Sequence, residues 1–240
     1  MKLLIATPFY EMKGWSPYIS SLVQTVMCLS KTDIEFDFWN LSGDSYVDRA
    51  RNHIAKKFLD SDFTHLFFID SDHSWKIESF LNILKHDEDI VAAGYPCKNN
   101  WNFYGCVLET QPGYDPIRDE AGNITHVGPA RLNENGLAYA IYAPTGFMKI
   151  RRNVFEQLSK SCSMYSYKDE LFYDFFGRIP PLGEDSSFCK RWRDIGGEIF
   201  VELDCDISHY GVKEYAGNYL NFLKGQPVPI QSRGSIPWNV

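Results

Sequence analysis

The sequence predicts an α/β fold: a mostly parallel central sheet flanked by helices, with a small mixed or antiparallel extension. Strand and helix patterns alternate through roughly the first hundred residues, which is the order that builds parallel sheets. Residues 66–69 are a continuous apolar run, as expected of a strand buried on both faces. Residues 95–145 instead combine glycines, prolines and aromatics with short strand patterns, which is typical of hairpins or sheet extensions.

The first half of the chain alternates in a regular way. Strands are predicted at 2–7, 34–39, 66–69 and 89–94, and helices at 17–29, 46–59 and 76–85. Ser74 is the expected N-cap of the third helix. Apolar residues at helical spacing mark the inward face of the first helix: Ile19, Leu22, Val23, Val26 and Met27.

The second half is less regular. Short strands are predicted at 103–108, 124–127, 137–142, 146–150 and 198–202, and helices at 152–158, 183–195 and 215–223. Residues 161–182 form a long polar and aromatic loop, and such loops inside a compact domain are more often functional than idle. We expect one domain over residues 1–224, followed by a tail at 225–240 rich in proline, glycine and serine.

Composition restricts the partners. The net charge of −7, without a run of basic residues, argues against nucleic-acid binding. The apolar N-terminal stretch is too short for a signal peptide, and no segment approaches the ~18 apolar residues of a membrane span. Six cysteines without zinc-site spacing are expected to be free thiols. We therefore expect a cytoplasmic protein (in the host cytoplasm if viral), with no membrane span and an oligomeric state that the sequence does not indicate.

Two carboxylates, Asp70 and Asp72, directly follow the buried strand at 66–69. Open α/β sheets bind their ligands at the carboxyl ends of strands, and carboxylates concentrated there need a cation or another partner. A divalent ion such as Mg²⁺ or Mn²⁺, shared with a phosphate, meets that need. The pair predicts a phosphate-bearing substrate held through a metal, and a solvated acidic turn is the alternative.

Three motifs together resemble a known family. They are Asp-Ser-Asp at 70–72 after a central strand, Gly-Glu-Asp-Ser-Ser-Phe-Cys at 183–189 opening a later helix, and His-Tyr-Gly at 209–211. In this order they resemble GT-A-fold glycosyltransferases of the family 2-like group, including small enzymes of phages and large DNA viruses. The similarity covers residues 1–224. It implies a GT-A (Rossmann-like) fold and transfer of a sugar, with inversion, from a UDP- or GDP-sugar to a hydroxyl of a glycan or glycoprotein acceptor.

The resemblance assigns a Mn²⁺ or Mg²⁺ ion to Asp70, Asp72 and His209. Asp72 would be the direct ligand, and Asp70 would contact the ribose or a metal-bound water. The imidazole of His209 suits Mn²⁺ better than Mg²⁺. Asp204 and Asp206 are nearby alternatives to His209 as metal ligands. For His209 itself, the alternative is a structural or surface role.

Glu184 and Asp185 are the candidate catalytic pair. By the resemblance, Asp185 would deprotonate the acceptor hydroxyl, and Glu184 would position the acceptor or Asp185. Inversion needs such a base on the face opposite the leaving phosphate. Acidic residues in a first helical turn also stabilise the helix dipole, so a structural role is the alternative.

Donor contacts are expected close to the strand ends. Thr7 would hydrogen-bond the nucleotide base and Tyr10 would stack on it, with Pro8 between them as a further candidate; a core aromatic and a turn proline are the alternative. Gly146 would leave backbone room for the sugar. The remaining candidates for the donor site are Asp48, Arg49, Arg51, Asn52, Ser71 and Lys98.

Three other functions remain open. A nucleotidyltransferase would need a glycine-rich and basic loop after the first strand, which is absent from this sequence. A haloacid-dehalogenase-like phosphatase would carry Asp-x-Asp on its first strand with Thr or Val two residues later, whereas here the motif follows the third strand and Ser74 takes that position. A non-catalytic sugar- or nucleotide-binding module would bind without turnover.

Overall fold

The computed structural model describes residues 1–10, 12–98, 100–114, 117–118, 124–126, 128–211 and 213–225. The tail predicted at 225–240 lies outside the described residues except for Gly225, and so does Val127 of the strand predicted at 124–127. In chain order the elements are β1 Lys2–Phe9, α1 Ser16–Leu29, β2 Glu35–Ser42, α2 Val47–Leu59, β3 His65–Ile69, β4 His73–Trp75, α3 Ile77–Leu84, β5 Ile90–Ala93, β6 Pro96–Cys97, β7 Asn100–Tyr104, β8 Val107–Leu108, β9 Ile117–Arg118, β10 Ile124–His126, β11 Ala138–Tyr142, β12 Phe147–Arg151, α4 Arg152–Leu158, β13 Met164–Tyr167, β14 Glu170–Tyr173, α5 Glu184–Asp194, β15 Phe200–Glu202, β16 Asp206–Tyr210, β17 Glu214–Asn218 and α6 Tyr219–Leu223.

A central sheet of eight strands has the order β2-β1-β3-β12-β5-β15-β11-β8. The pairings β1–β2, β1–β3 and β5–β15 are parallel. Strand β12 lies antiparallel between β3 and β5, and β11 is antiparallel to both β15 and β8. Six of these eight strands therefore run in one direction, which confirms the mostly parallel sheet that the sequence predicts.

Apolar side chains alternate across the sheet and form a core on each face. Leu66 and Phe68 of β3 pack with residues of α2, α4 and α5, whereas Phe67 and Ile69 pack with residues of α1 and α3. All four are completely buried, and each such side chain contributes about 1.5–3 kcal/mol of hydrophobic free energy. The strand is buried on both faces, as its unbroken apolar sequence predicts.

Helix α1 presents a different face to the core from the one predicted. Three predicted inward residues are half exposed: Ile19 (50%), Val23 (51%) and Met27 (58%). The buried face carries Ser21, whose hydroxyl bonds both the backbone N–H and the carbonyl of Trp75, and Thr25, which accepts a hydrogen bond from the Trp75 indole. Because both hydroxyls are hydrogen-bonded to polar groups of Trp75 in β4, their burial costs little free energy. The inward face predicted from hydropathy alone was therefore wrong.

The end of the chain also differs from its prediction. Residues 214–218 form β17 instead of the start of a helix, and only residues 219–223 are helical, as α6. Strand β17 pairs with β16, and β16 pairs with β4, in an antiparallel sheet of three strands. Pairing with β16 overrides the local helical pattern because strand propensity depends on the neighbouring strand.

Two further local predictions were wrong. Ser74 lies inside β4, and Lys76 occupies the N-cap position of α3. The loop predicted at 161–182 contains the β13–β14 hairpin, which packs on α2. The hairpin closes through Lys168 and Asp169, which both have positive φ angles, a conformation that short hairpin turns often require.

All six cysteines are free thiols, as predicted. Across the part of the chain that the structure describes, the helices lack the length and apolar character needed to cross a bilayer.

Candidate active site

Gly146 lies where the carboxyl end of β3 meets the beginning of β12. The backbone N–H of Asp70 donates to the Gly146 carbonyl at 2.9 Å. A Cβ atom on Gly146 would lie 2.7 Å from Oδ2 of Asp70 and 3.0 Å from Cε1 of His73, and it would collide with the hydroxyl of Tyr95. Only glycine permits this close approach, which brings two groups of polar side chains to one edge of the sheet.

The first group, here called the histidine cluster, consists of Asp72, His73 and His209. The pairing of β4 with β16 sets His73 directly opposite His209, and opposed residues of an antiparallel pair share one face. Their rings stack with centroids 4.4 Å apart. The backbone N–H of Tyr210 donates to the Asp72 carbonyl at 2.7 Å, so the aspartate is fixed beside the histidines. One ligand atom from each of the three lies within 4.8 Å of the others.

The donor atoms of this cluster fit a divalent cation. Nδ1 of His209 lies 3.0 Å from the Pro96 carbonyl, which can only accept, so Nδ1 carries the proton and Nε2 keeps its lone pair, 3.7 Å from Oδ1 of Asp72. His73 is completely buried; its Nδ1 lies 3.1 Å from Oδ1 of Asp72 without the geometry of a hydrogen bond, and its Nε2 has no hydrogen-bond partner. Because unpaired polar atoms are costly to bury, a cation bound here would satisfy them.

The charge of the cluster is balanced by Lys98. Its Nζ lies 2.5 Å from Oδ2 of Asp72. Burial alone would raise the pKa of the Asp72 carboxyl, but contacts with His209, His73 and Lys98 hold it well below its ordinary value. Burial lowers the pKa of His73, and the nearby His209 adds to this effect. Both shifts favour the ionised carboxylate and the neutral imidazole, which are the forms that bind metals.

The second group, here called the arginine cluster, consists of Arg51, Asp70, Thr145 and Asp185. Helix α2 brings Arg51 beneath the end of β3, where its side chain is 2% exposed. Nη1 and Nη2 lie 3.0 and 3.1 Å from the Asp70 carboxylate, and Nη2 lies 3.9 Å from Asp185. A buried charge is tolerated only when it is paired, and here two carboxylates share one guanidinium.

Asp185 lies in the first turn of α5 and accepts a hydrogen bond from the Thr145 hydroxyl. Its side chain is 32% exposed, so one side of the carboxylate is open. Burial raises the pKa of Asp185 to about 6; Glu184 and Asp70 act in the same direction, while Arg51 and Thr145 oppose it. A carboxylate with this pKa can accept a proton near neutral pH.

Other predicted donor residues lie near the end of β1. Thr7 is completely buried, and its hydroxyl is 2.7 Å from that of Tyr18, so it serves the packing of α1 against the sheet. Pro8 is partly buried, and Tyr10, just past the strand, is 65% exposed. Ser71 accepts a backbone hydrogen bond from Trp15 through its carbonyl. Of these four, Tyr10 has the most side-chain surface available to a ligand.

Three predicted residues on α2 have partners in the protein. Arg49 forms a bidentate ion pair with Asp44, and Asp48 lies 3.9 Å from Arg178. Asn52 is buried; its amide donates to the Asp174 carboxylate, and its carbonyl oxygen accepts from the backbone of Phe176. The contacts of Asp48 and Asn52 bind the segment after β14 to α2. Together with the ion pair of Arg49, they draw the three side chains away from the histidine and arginine clusters.

The alternatives to His209 lie away from both clusters. Asp206 lies at the opposite end of β16, where its carboxylate is 2.5 Å from Lys76. Asp204 accepts a hydrogen bond from Asn218.

Sequence reasoning missed His73, Tyr95 and Thr145. His73 directly follows Asp72, but its position opposite His209 depends on the β4–β16 pairing, which no local pattern predicts. Tyr95 packs its ring edge against both histidines. Burial raises the pKa of Tyr95 well above its ordinary value, and the charges of Asp70 and Asp185 add to this, so its hydroxyl remains protonated.

A cleft of about 670 Å³ lies elsewhere, lined by Glu88, Tyr139 and Trp192 among others, and includes no residue of either cluster. Its size is in the usual range for ligand pockets. The strand-end site is the stronger candidate because titratable groups with shifted pKa values converge there.

Comparison with solved structures tests the fold. The chain aligns with A197 from STIV with a TM-score of 0.54 and 17% identity, over 88% of this chain and 86% of A197. It aligns with GalNAc-T7, solved with UDP, GalNAc and Mn²⁺, with a TM-score of 0.50 and 14% identity, over 98% of this chain. The chain has a GT-A-like fold. In this GT-A-like fold, the histidine and arginine clusters lie at the carboxyl ends of the central strands.

The alignment spans 46% of GalNAc-T7, so the chain is less than half the length of that neighbour. The sequence matches no protein-family model and no curated protein. At these identities the likeness extends to the GT-A-like fold alone.

Proposed function

We propose that the protein is a metal-dependent glycosyltransferase that moves a sugar from a nucleoside-diphosphate sugar to a hydroxyl group of a glycan or glycoprotein acceptor. One observation carries the proposal: a group of side chains that could hold a metal ion lies beside a carboxylate with a raised pKa. Gly146 packs against His73 of that group, and the preceding residue, Thr145, donates a hydrogen bond to the Asp185 carboxylate. The GT-A-like fold and the ligands of GalNAc-T7, which was solved with UDP, GalNAc and Mn²⁺, support it.

Asp72, His73 and His209 would hold the cation. Two imidazoles and one carboxylate favour Mn²⁺ over Mg²⁺, because Mg²⁺ binds mainly oxygen ligands. The ion would neutralise the negative charge that develops on the leaving nucleoside diphosphate. Asp70, which the sequence predicts as a further ligand, pairs with Arg51 and lies outside this proposed set of three ligands.

Lys98, Ser71 and Tyr10 are the proposed donor contacts. Lys98 carries a positive charge at the edge of the histidine cluster and can pair with a phosphate. The exposed ring of Tyr10 can stack on the nucleotide base. We also propose that residues 1–224 form one domain, because side chains from β3 to β16 meet in this site.

Asp185 is the proposed base. Its open side would face the acceptor, and the hydrogen bond from Thr145 fixes the orientation of its carboxylate. Asp185 takes the proton of the acceptor hydroxyl while that oxygen attacks the sugar on the face opposite the diphosphate, which inverts the anomeric centre. Glu184, the preceding residue, is placed to orient the acceptor.

The geometry disfavours the phosphatase. The motif follows the third strand of the chain rather than lying on the first, and Asp70 directs both carboxylate oxygens at the buried guanidinium of Arg51. Release of phosphate from simple monoesters would nevertheless revive that function.

A thermal-shift panel tests the proposal. UDP- and GDP-sugars are added with and without Mn²⁺ to wild type, to Asp72→Ala and to Asp206→Ala, which removes a carboxylate from the far end of β16. At a hundredfold excess over Kd, a ligand adds about 2.7 kcal/mol, or roughly 5–11 °C for a chain of this size. We expect this shift in wild type and Asp206→Ala only, and only with Mn²⁺.

Two results of the panel would count against the proposal. If no nucleotide sugar stabilised wild type, or if Asp72→Ala responded as wild type does, the donor site would be wrong. Binding without any release of nucleoside diphosphate would instead favour the non-catalytic module.

A further inference from the structure

Arg51 links the two halves of the site. Its guanidinium is buried under the end of β3, 3.0 Å from Asp70 on the donor side and 3.9 Å from Asp185 on the acceptor side. Nε and Nη1 make no hydrogen bond, so the hydrogen bond from Nη2 to Asp70 and charge attraction to the two carboxylates hold the group. Arg51 is therefore buried between the two carboxylates.

Several groups face the Asp185 carboxylate from the surrounding elements: Arg51 of α2, Asp70 after β3, Tyr95 before β6, Cys106 before β8, and Glu184 and Cys189 of α5. Burial raises the pKa values of Tyr95, Cys106 and Cys189, so these three groups are neutral near pH 7. Among the groups that face Asp185 in the described part of the chain, Arg51 supplies the positive charge. The negative charges of Asp70 and Glu184 oppose it.

We propose that Arg51 is a positioning residue that keeps Asp185 in its carboxylate form, and that Asp70 limits this effect by sharing the same guanidinium. The inference rests on the proposed function, because Asp185 is the base of that reaction. Changes at Asp70 on the donor side are thereby transmitted to the base on the acceptor side through one side chain.

The proposal predicts opposite effects for two substitutions. Arg51→Gln removes the positive charge, so Asp185 should titrate about 1–3 pH units higher. Asp70→Asn removes a negative charge and leaves Arg51 to Asp185 alone, so Asp185 should titrate lower than in wild type. A purely structural role for Arg51 predicts no such pair of opposite shifts.

The experiment is a ¹³C NMR titration of protein labelled at its aspartate carboxyl groups, with Asp185→Asn used to assign the signal. Lys56→Gln is the matched control, because it also removes a positive charge from α2, yet Lys56 pairs with Asp60. We expect the Asp185 titration to be unchanged in Lys56→Gln and close to wild type in Arg51→Lys, which keeps the charge.

An Asp185 titration that is the same in Arg51→Gln and wild type, or that moves upward in Asp70→Asn, would overturn the proposal. If Arg51→Gln does not fold, an upward shift in Asp70→Asn still overturns the proposal. The titration requires no substrate, so it is independent of turnover. If neither wild type nor any variant releases nucleoside diphosphate from a nucleotide sugar, the proposed function fails. The effect of Arg51 on the titration of Asp185 is still measured in that case.

Discussion

Gly146→Ala tests whether the close approach at the centre of the site is required. The added Cβ would lie 2.7 Å from Oδ2 of Asp70 and 3.0 Å from Cε1 of His73, and it would overlap the Tyr95 hydroxyl. His73 and Tyr95 are buried and packed against each other, so neither can move aside freely. Overpacking of this kind costs about 1–3 kcal/mol, which corresponds to a loss of roughly 2–12 °C in Tm for a chain of this size.

The assay is thermal and urea unfolding, with and without Mn²⁺. Gly105→Ala is the control, because its new Cβ would meet Pro144 at 3.5 Å, an ordinary contact. The control should be unchanged or stabilised by up to about 1 kcal/mol. Gly146→Ala should be destabilised. It should also lose stabilisation by Mn²⁺, because a displaced His73 no longer lies beside Asp72 and His209. Equal stability and equal Mn²⁺ response in the two variants would show that the close approach at Gly146 is not required.

Two further predictions concern Asp185 as the base, and a third concerns Asn52 of α2. Asp185→Asn should keep donor-induced stabilisation but release nucleoside diphosphate at least about 100-fold more slowly, measured by a coupled assay; normal turnover would exclude Asp185 as the base. Because the carboxylate form is active and the pKa of Asp185 is raised to about 6, wild-type turnover should fall as pH drops through 6 and level off above it; a rate that rises on acidification would contradict this sign. Asn52→Ala leaves the partly buried Asp174 carboxylate and the buried Phe176 N–H without their partner, so urea unfolding should show a loss of about 1–3 kcal/mol; an unchanged midpoint would contradict these contacts.

The central part of the fold follows from local sequence. The short apolar run of β3 favours a strand buried on both faces, and the alternation of elements around it indicates a mostly parallel sheet. The position of Asp70 and Asp72 after that strand was therefore predictable. The helix opened by Glu184 and Asp185 was predictable too, because its start combines a glycine with acidic residues of the first turn.

What the sequence did not reveal depends on contacts between distant segments. Ser21 and Thr25 are buried because they bond to Trp75, which hydropathy ignores. His73 joins His209 only through the register of two short strands. Arg51 resembles a surface cation in its sequence, yet it is buried because two carboxylates from different elements converge on it.

In the proposed function, Asp72, His73 and His209 would hold a cation that also contacts a nucleoside diphosphate. Pulsed EPR of Mn²⁺ with the protein and UDP or GDP measures this directly, because nitrogen and phosphorus couplings identify the ligands of the same ion. We expect imidazole ¹⁴N and ³¹P couplings together in wild type. The nitrogen coupling should be reduced in His209→Gln and in His73→Gln. A Mn²⁺ signal with phosphorus coupling alone, as for the nucleotide complex free in solution, would contradict it.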